Sequence, residues 1–376
     1  MADTGNRPKI SFSDEQAQLL EIAAQFAKDK FPLSAARARI AAEEDLSREI
    51  WSEMATLGWL GVAIPEEYGG SGLSLAEVVT IVEPLGRQVA GTPLISTTLL
   101  AQALRLAGTE AQKKAWLPKL TEGTIGALAL CEPGGDWSLT NLSATATTRA
   151  NTLVLSGVKT FVTDAASAEL MLISVMRDGK PALVLLDRAA FSKGRIERET
   201  VIDETRRSYR VTLEGMVVAQ SEVLDVAQTP AALRFLDDAA CLFAAAEMCG
   251  GVAGVIATTV EYLKTRKQFG RLIGSYQALK HPMVDALLML DAARSHLYYA
   301  ASVIGQGVDG EIAVRMAKAA AGEALAFAAD RGIQFHGGFG FTYDCDAQLY
   351  RRLGLWGEMR YGDAAWQRAK LAALLL

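Results

Sequence analysis

The chain is poor in the residues that build metal and disulfide sites: its 376 residues include four cysteines and three histidines. Cys131, Cys241, Cys249 and Cys345 stand without C-x-x-C spacing, and His281, His296 and His336 are equally scattered. A structural zinc site therefore has no ligand set to draw on. No G-x-G-x-x-G follows a strand pattern and no G-x-x-x-x-G-K-[ST] occurs, which removes the Rossmann and P-loop routes to a nucleotide. There is no basic excess either: 38 Lys and Arg against 43 Asp and Glu leave a net charge of −5. Nucleic acid and an anionic membrane surface are not expected partners of such a chain. The N-terminus, MADTGNRPKISFSDEQAQLL, lacks the basic start and apolar core of a secretory signal and carries acidic residues foreign to a transit peptide. The expectation is a cytoplasmic protein with free thiols.

Long apolar runs are also scarce, with one exception. Ala239 to Val260 carries a single charge, Glu247, and is long enough to cross a bilayer. It is rich in Ala, Gly, Val and Thr and continues without a break into Glu261, Lys264, Arg266 and Lys267. A central helix buried on all sides of a bundle accounts for that pattern better than a membrane span. Within it, Glu247 needs compensation, because a buried lone carboxylate is expensive. An ion pair across the bundle, a raised pKa, or service as a base in a pocket would each supply it.

What the chain does have is globular: half of its residues are apolar and 22% are charged, enough for more than one core. From Ser13 to about Glu122 apolar residues recur at helical spacing, as in Leu19, Leu20, Ile22, Ala23 and Phe26, with Ser13 as the expected N-cap. Breaks fall at Phe31-Pro32, between Pro65 and Gly72, and at Gly91-Thr92-Pro93. Near Gly126 β-branched, period-two runs take over, including 144–148, 153–155, 170–175, 182–186 and 210–213. After Thr229-Pro230 long helical patterns return. The expected fold is α+β and multidomain: an N-terminal helical domain (1–125), a small antiparallel β-domain (126–228) and a C-terminal antiparallel helical bundle (229–376).

Three segments add specificity. Gly58 to Leu73 reads GWLGVAIPEEYGGSGL, Leu155 to Thr163 reads LSGVKTFVT, and Tyr262 to Arg271 reads YLKTRKQFGR, with Tyr276, Gln277 and His281 behind it and QFHGGFG at Gln334 to Gly340. Spacing alone makes the glycine runs a turn and a helix stop. Arg266 is open between a bidentate phosphate contact and a solvated cation at a helix C-terminus. In this order, however, the set resembles the acyl-CoA dehydrogenase family over nearly the whole chain.

That resemblance implies FAD held between β-domain and bundle, with Phe161 and Thr163 against the isoalloxazine and Cys131 in the loop beside it. It implies that Arg266, Gln268, Phe269, Gln277 and the Gln334–Gly338 loop, with Gly337, reach a flavin shared across a subunit interface, in a dimer or dimer of dimers. The chemistry it implies is removal of the α-proton of an acyl-CoA by a base while hydride leaves the β-carbon for flavin N5. Electrons would pass to an electron-transfer flavoprotein.

Two departures alter that expectation. Where the family usually reads Thr-Glu-Pro-Gly-Ala-Gly-Ser-Asp, this chain has CEPGGDWS, with Trp137 at the usual serine. Where many members carry Tyr-Glu-Gly-Thr with a basic glutamate, the chain has Tyr361-Gly362-Asp363-Ala364. The alternative base position, on the first long bundle helix, aligns with Ala240. Glu247 lies seven residues further on, nearly the same face and about 10 Å away, so Glu247 is the first candidate for the base and Asp363 its rival. The departures resemble a subgroup in which unlike chains form α2β2 heterotetramers acting on bulky thioesters such as steroid side chains or dicarboxylic acyl chains. Three readings follow: a complete FAD-dependent dehydrogenase in a homotetramer, a subunit that completes a partner's FAD site, and a flavin oxygenase or oxidase on the same fold.

Overall fold

The computed structural model describes residues 12–42, 46–190 and 195–376. Six helices come first: α1 (Asp14–Lys30), α2 (Ala36–Ala41), α3 (Arg48–Thr56), α4 (Leu75–Arg87), α5 (Leu94–Ala107) and α6 (Glu110–Thr121). Ser13 caps α1 with a full capping box, its side chain accepting from the Gln16 N–H while Gln16 returns the bond. Phe31-Pro32 ends α1, and the Pro65–Gly72 turn separates α3 from α4.

The middle region holds β1 (Gly126–Ala129), β2 (Thr145–Arg149), β3 (Thr152–Ser156), β4 (Val158–Thr163), β5 (Leu170–Arg177), β6 (Lys180–Asp187), β7 (Ile196–Glu199), β8 (Ser208–Thr212) and β9 (Met216–Ala219). β1, β5, β2, β3 and β9 lie side by side with β6 on the far edge of β5, while β4, β8 and β7 form a second sheet. Most pairs are antiparallel, but β1 runs parallel to β5 along four residue pairs, and β2 meets β5 parallel at Thr145. The run from Leu170 to Val175 is apolar except for Ser174 and shows no alternation, because it is buried on both faces.

The chain then forms α7 (Thr229–Thr265), a hairpin of β10 (Lys267–Gln268) and β11 (Arg271–Leu272), and the helices α8 (Gln277–Val303), α9 (Val308–Phe335), α10 (Ala347–Met359) and α11 (Ala364–Leu375). α7 is long and apolar enough to cross a membrane, yet 83% of its most apolar stretch lies inside the protein. Its glycines let α4 approach backbone to backbone. A Cβ on Gly250 would stand 2.0 Å from the Glu83 carbonyl oxygen, and one on Gly86 2.3 Å from that of Glu247. No larger residue fits either place without moving a helix. All four cysteines are free and buried.

Candidate functional site

The residues singled out by sequence separate into two places. The first is an open groove of about 900 Å³ at the far end of α7 and α9. Arg266 ends α7, and the tight β10–β11 hairpin carries Gln268 and Phe269, the latter at φ 52° and 91% exposed. Gln334 comes from the end of α9, and Gly337 and Gly338 from the turn that follows. All six line the groove together with Tyr262, Tyr276 and His336. Gln277 is exposed at the start of α8, between lining residues, and is not itself part of the lining.

Local chemistry fixes this groove. The His336 ring stacks on Tyr262 at 4.2 Å and its Nδ1 lies 2.7 Å from the Gly332 carbonyl oxygen, which ties the end of α9 to the end of α7. A Cβ built on Gly337 or Gly338 would meet nothing within 4 Å. Their bare backbone is therefore turned to open space, as a surface for a ligand needs. A guanidinium, two carboxamides, exposed aromatic faces and bare peptide groups form a donor set suited to the adenine and pyrophosphate portions of a dinucleotide.

The second place is the junction of β-domain and bundle, and there the geometry differs. β4 is bulged: its register against β8 shifts between Lys159 and Val162. Phe161, inside the bulge, takes φ 53° and donates its N–H to Glu199 Oε2 at 2.9 Å. The bulge re-aims its side chain, as such irregularities do. Trp137 packs on Phe161 with ring centroids 5.7 Å apart and on Tyr361 at 5.7 Å, while Trp356 meets Phe161 edge-on at 6.1 Å. Arg360 lies over the Trp356 and Tyr361 rings at 5.1 and 4.9 Å. Threading a flat ring between two others needs two contact layers, about 7 Å in all. As they stand these rings leave no gap of that width between them, while Phe161 and Trp137 each keep part of their surface exposed. Cys131, beside this cluster, is buried, and burial pushes its thiol up to about 11, so it stays protonated.

Neither candidate base is free. Glu247 Oε1 accepts from Arg206 Nη1 at 2.7 Å, and Arg206 Nε donates to Asp203 at 3.2 Å. Of the three ways to compensate Glu247, the molecule uses the ion pair. Asp363 caps α11, accepting from the Trp366 N–H at 2.8 Å. Gly362, which stands where the family glutamate would be, has φ 90°, and a Cβ there would lie 2.1 Å from the Trp366 ring. The turn is held from below by Lys318, whose Nζ donates to the carbonyl oxygens of Glu358 and Gly362 at 3.0 and 3.2 Å. A glutamate at 362 would be strained twice over, by backbone and by contact.

Sequence reasoning passed over Arg206, Trp356 and Arg360. Arg206 sits in the charge-dense run Asp203-Glu204-Thr205-Arg206-Arg207, which signals pairing without naming the partner. Trp356 and Arg360 carry no motif at all.

Known proteins agree with this architecture. Residues 13–124 match the family Acyl-CoA dehydrogenase, N-terminal domain, and residues 231–373 match Acyl-CoA dehydrogenase, C-terminal domain. Acyl-CoA dehydrogenase IpdE2 of Mycobacterium tuberculosis is 31% identical over 342 residues, spanning 89% of this chain and 90% of its own. Among solved structures, the Tcur3481-Tcur3483 steroid ACAD superposes with TM-score 0.86 at 30% identity, covering 96% of this chain and 98% of its own. The ChsE4-ChsE5 complex of Mycobacterium tuberculosis shares the fold at TM-score 0.89 and 24% identity, covering 98% and 99%.

Proposed function

Because the chain belongs to the acyl-CoA dehydrogenase family of oxidoreductases, we propose that it serves acyl-CoA dehydrogenation as the subunit that completes the FAD site of a homologous, unlike chain. The observation that carries this reading is an asymmetry. The half-site facing outward is intact and open, with Arg266, Gln268, Phe269, Gln334, Gly337 and Gly338 around one groove. The half-site between its own β-domain and bundle is filled by Trp137, Phe161, Trp356 and Tyr361. A homo-oligomer would bring each open groove to a filled pocket; an unlike partner with an unfilled pocket makes use of the groove.

In this assembly the groove residues hold the adenine and pyrophosphate end of the cofactor. Arg266 offers a planar fork to phosphate oxygens, Gln268 and Gln334 offer amide groups, and the Gly337-Gly338 backbone permits close approach. FAD, when bound, supplies the hydride acceptor for oxidation of the thioester. The α-proton is taken by a base of the partner, since here Glu247 is held by Arg206 and Asp363 by the α11 backbone. Electrons leave to an electron-transfer flavoprotein. The paired naming of the 30%-identical Tcur3481-Tcur3483 steroid ACAD supports an α2β2 assembly and a bulky acyl-CoA as substrate.

The test is the visible spectrum, with flavin counted against protein. The chain purified alone should be colourless, and the co-purified pair should carry one FAD for each two chains. Trp137→Ser should raise FAD uptake by the isolated chain. One oxidised flavin per unmodified chain would end this reading and restore the complete homotetrameric enzyme.

A further inference from the structure

Two elements far apart in the chain carry the open groove, and a ligand that spans it depends on the distance between them. One side is the end of α7 with its hairpin, which brings Tyr262, Arg266, Gln268 and Phe269; the other is the end of α9 with the turn after it, which brings Gln334, Gly337 and Gly338. That turn is pinned where it leaves the helix and again where it ends. At Gly340 a Cβ would run into the Ile333 carbonyl oxygen, so the turn folds back onto its own helix. Between the two pins Gly337 takes φ 62° and, like Gly338, has open space where a side chain would stand. Their peptide groups are free to meet a ligand, but only as well placed as the pins hold them.

The first pin is His336, buried and one residue before Gly337. Its ring stacks on Tyr262, with centroids 4.2 Å apart and planes 26° from parallel. Its Nδ1 lies 2.7 Å from the Gly332 carbonyl oxygen. A carbonyl only accepts, so Nδ1 carries the hydrogen, and the ring cannot turn over without losing that bond. Gly332 is itself set against α7, where a Cβ would stand 2.7 Å from Val255 Cγ2. On the far side of the stack, Tyr262 lies one helical turn before Arg266, whose N–H donates to the Tyr262 carbonyl oxygen at 2.9 Å. Tyr262 also packs on a small separate core of Leu263, Ile273 and Met283. The imidazole thus couples the guanidinium-bearing end of α7 to the bare peptide groups that follow α9.

We infer, on the reading of the groove as the holder of the adenine and pyrophosphate end of FAD, that His336 is a positioning residue for the cofactor: it sets the span between Arg266 and the Gly337-Gly338 peptide groups. The two contacts of its ring divide this role. The stack fixes the turn against the end of α7, and the Nδ1 bond fixes the rotation of the ring. His336→Phe keeps the first and loses the second; His336→Ala loses both. A ligand that must meet a cation and peptide groups at once is held for less time when their spacing varies, because the ordering of the site is then charged against binding.

The test is the rate of FAD release from the co-purified pair, followed by the rise of flavin fluorescence on dilution, with the melting midpoint of each variant measured alongside. His336→Ala should speed release about tenfold and His336→Phe about threefold, the sizes expected for loss of an aromatic contact with a hydrogen bond and of the hydrogen bond alone. His336→Phe reads the effect in a chain that keeps its stack, so a folding defect in His336→Ala does not hide the result. Leu290→Ala, a truncation in the buried core further along α8, is the control: it should lower the melting midpoint at least as much and leave release unchanged. Release that follows the melting midpoint through all three variants would make His336 merely structural and overturn the inference. So would release from both His336 variants as slow as from the unmodified pair, and in either case the assignment of the groove would stand. A pair that carries no flavin would remove both.

Discussion

Glu247 illustrates how a residue conspicuous in sequence can be paired by one far away in the chain. A carboxylate in an Ala, Gly and Val stretch invites a catalytic assignment, but the same desolvation that makes it unusual also makes an ion pair a ready remedy. Its partner, Arg206, is shared with Asp203, so the three form one buried unit. Removing the cation alone should be costly: Arg206→Met is expected to lower unfolding free energy by about 3–5 kcal/mol, since two carboxylates lose their compensation. Adding Glu247→Gln should recover a large part of that loss. Urea denaturation of both singles and the double variant measures the coupling, and strictly additive losses would show that the pair does not act as a unit. Glu247 was legible as an anomaly from composition; Arg206 was not legible as its answer, because they lie 41 positions apart and nothing local links them.

At the scale of elements, α7, α9 and α11 are joined by a second buried charge cluster. Arg315 on α9 donates to Asp237 at 2.5 Å, to Asp238 at 2.9 Å and to Glu311 at 3.4 Å, and Lys370 on α11 reaches Asp237 at 3.2 Å. Burial pushes the Asp238 carboxyl up to about 7 against the pull of Arg315, with the neighbouring Glu311 and Asp237 adding to the rise. Three carboxylates divide two cations, so one of them ionises late. The sign of the linkage follows. Above pH ~4 the unfolded chain has released this proton while the folded chain keeps it, so the group's contribution to stability falls as pH rises from ~4 to 7 and is level beyond. The unfolding free energy of the wild type relative to Asp238→Asn should therefore fall across that window and then stay constant. A pH-independent difference would show that Asp238 is ionised throughout. The helices themselves were readable from apolar periodicity and from signals such as Ser13 and Pro230. β1, β7 and β9 were not, being four residues long and too short to establish a period.

The whole molecule presents an outward face that its own core does not cover. On α8, Val284, Leu287 and Leu288 are 53%, 46% and 61% exposed, and Phe269 beside the groove is 91% exposed. The three α8 residues stand on one helix face, the kind of apolar surface on which the proposed partner would dock. Leu288→Glu should therefore split the assembled complex while leaving the melting midpoint of the isolated chain within a degree or two, since exposed substitutions cost little by themselves. Light scattering after size-exclusion chromatography reads the outcome, and an unchanged assembly mass would remove α8 from the interface.

The sequence by itself determined the order of helical, β and helical regions, the burial of α7 and the family resemblance. Each of these depends on residues close in the chain, through periodicity, turns and contiguous motifs. It also singled out Trp137 and the missing glutamate as departures. Only the tertiary structure decided what those departures do. Trp137 closes on Phe161 and Tyr361, Gly362 stands where a side chain would meet the Trp366 ring, and Arg360 lies over the Trp356 and Tyr361 rings. These outcomes rest on distances between segments far apart in the chain, and no local pattern encodes them, because packing at ångström separations depends on how the helical, β and helical regions come together around one core.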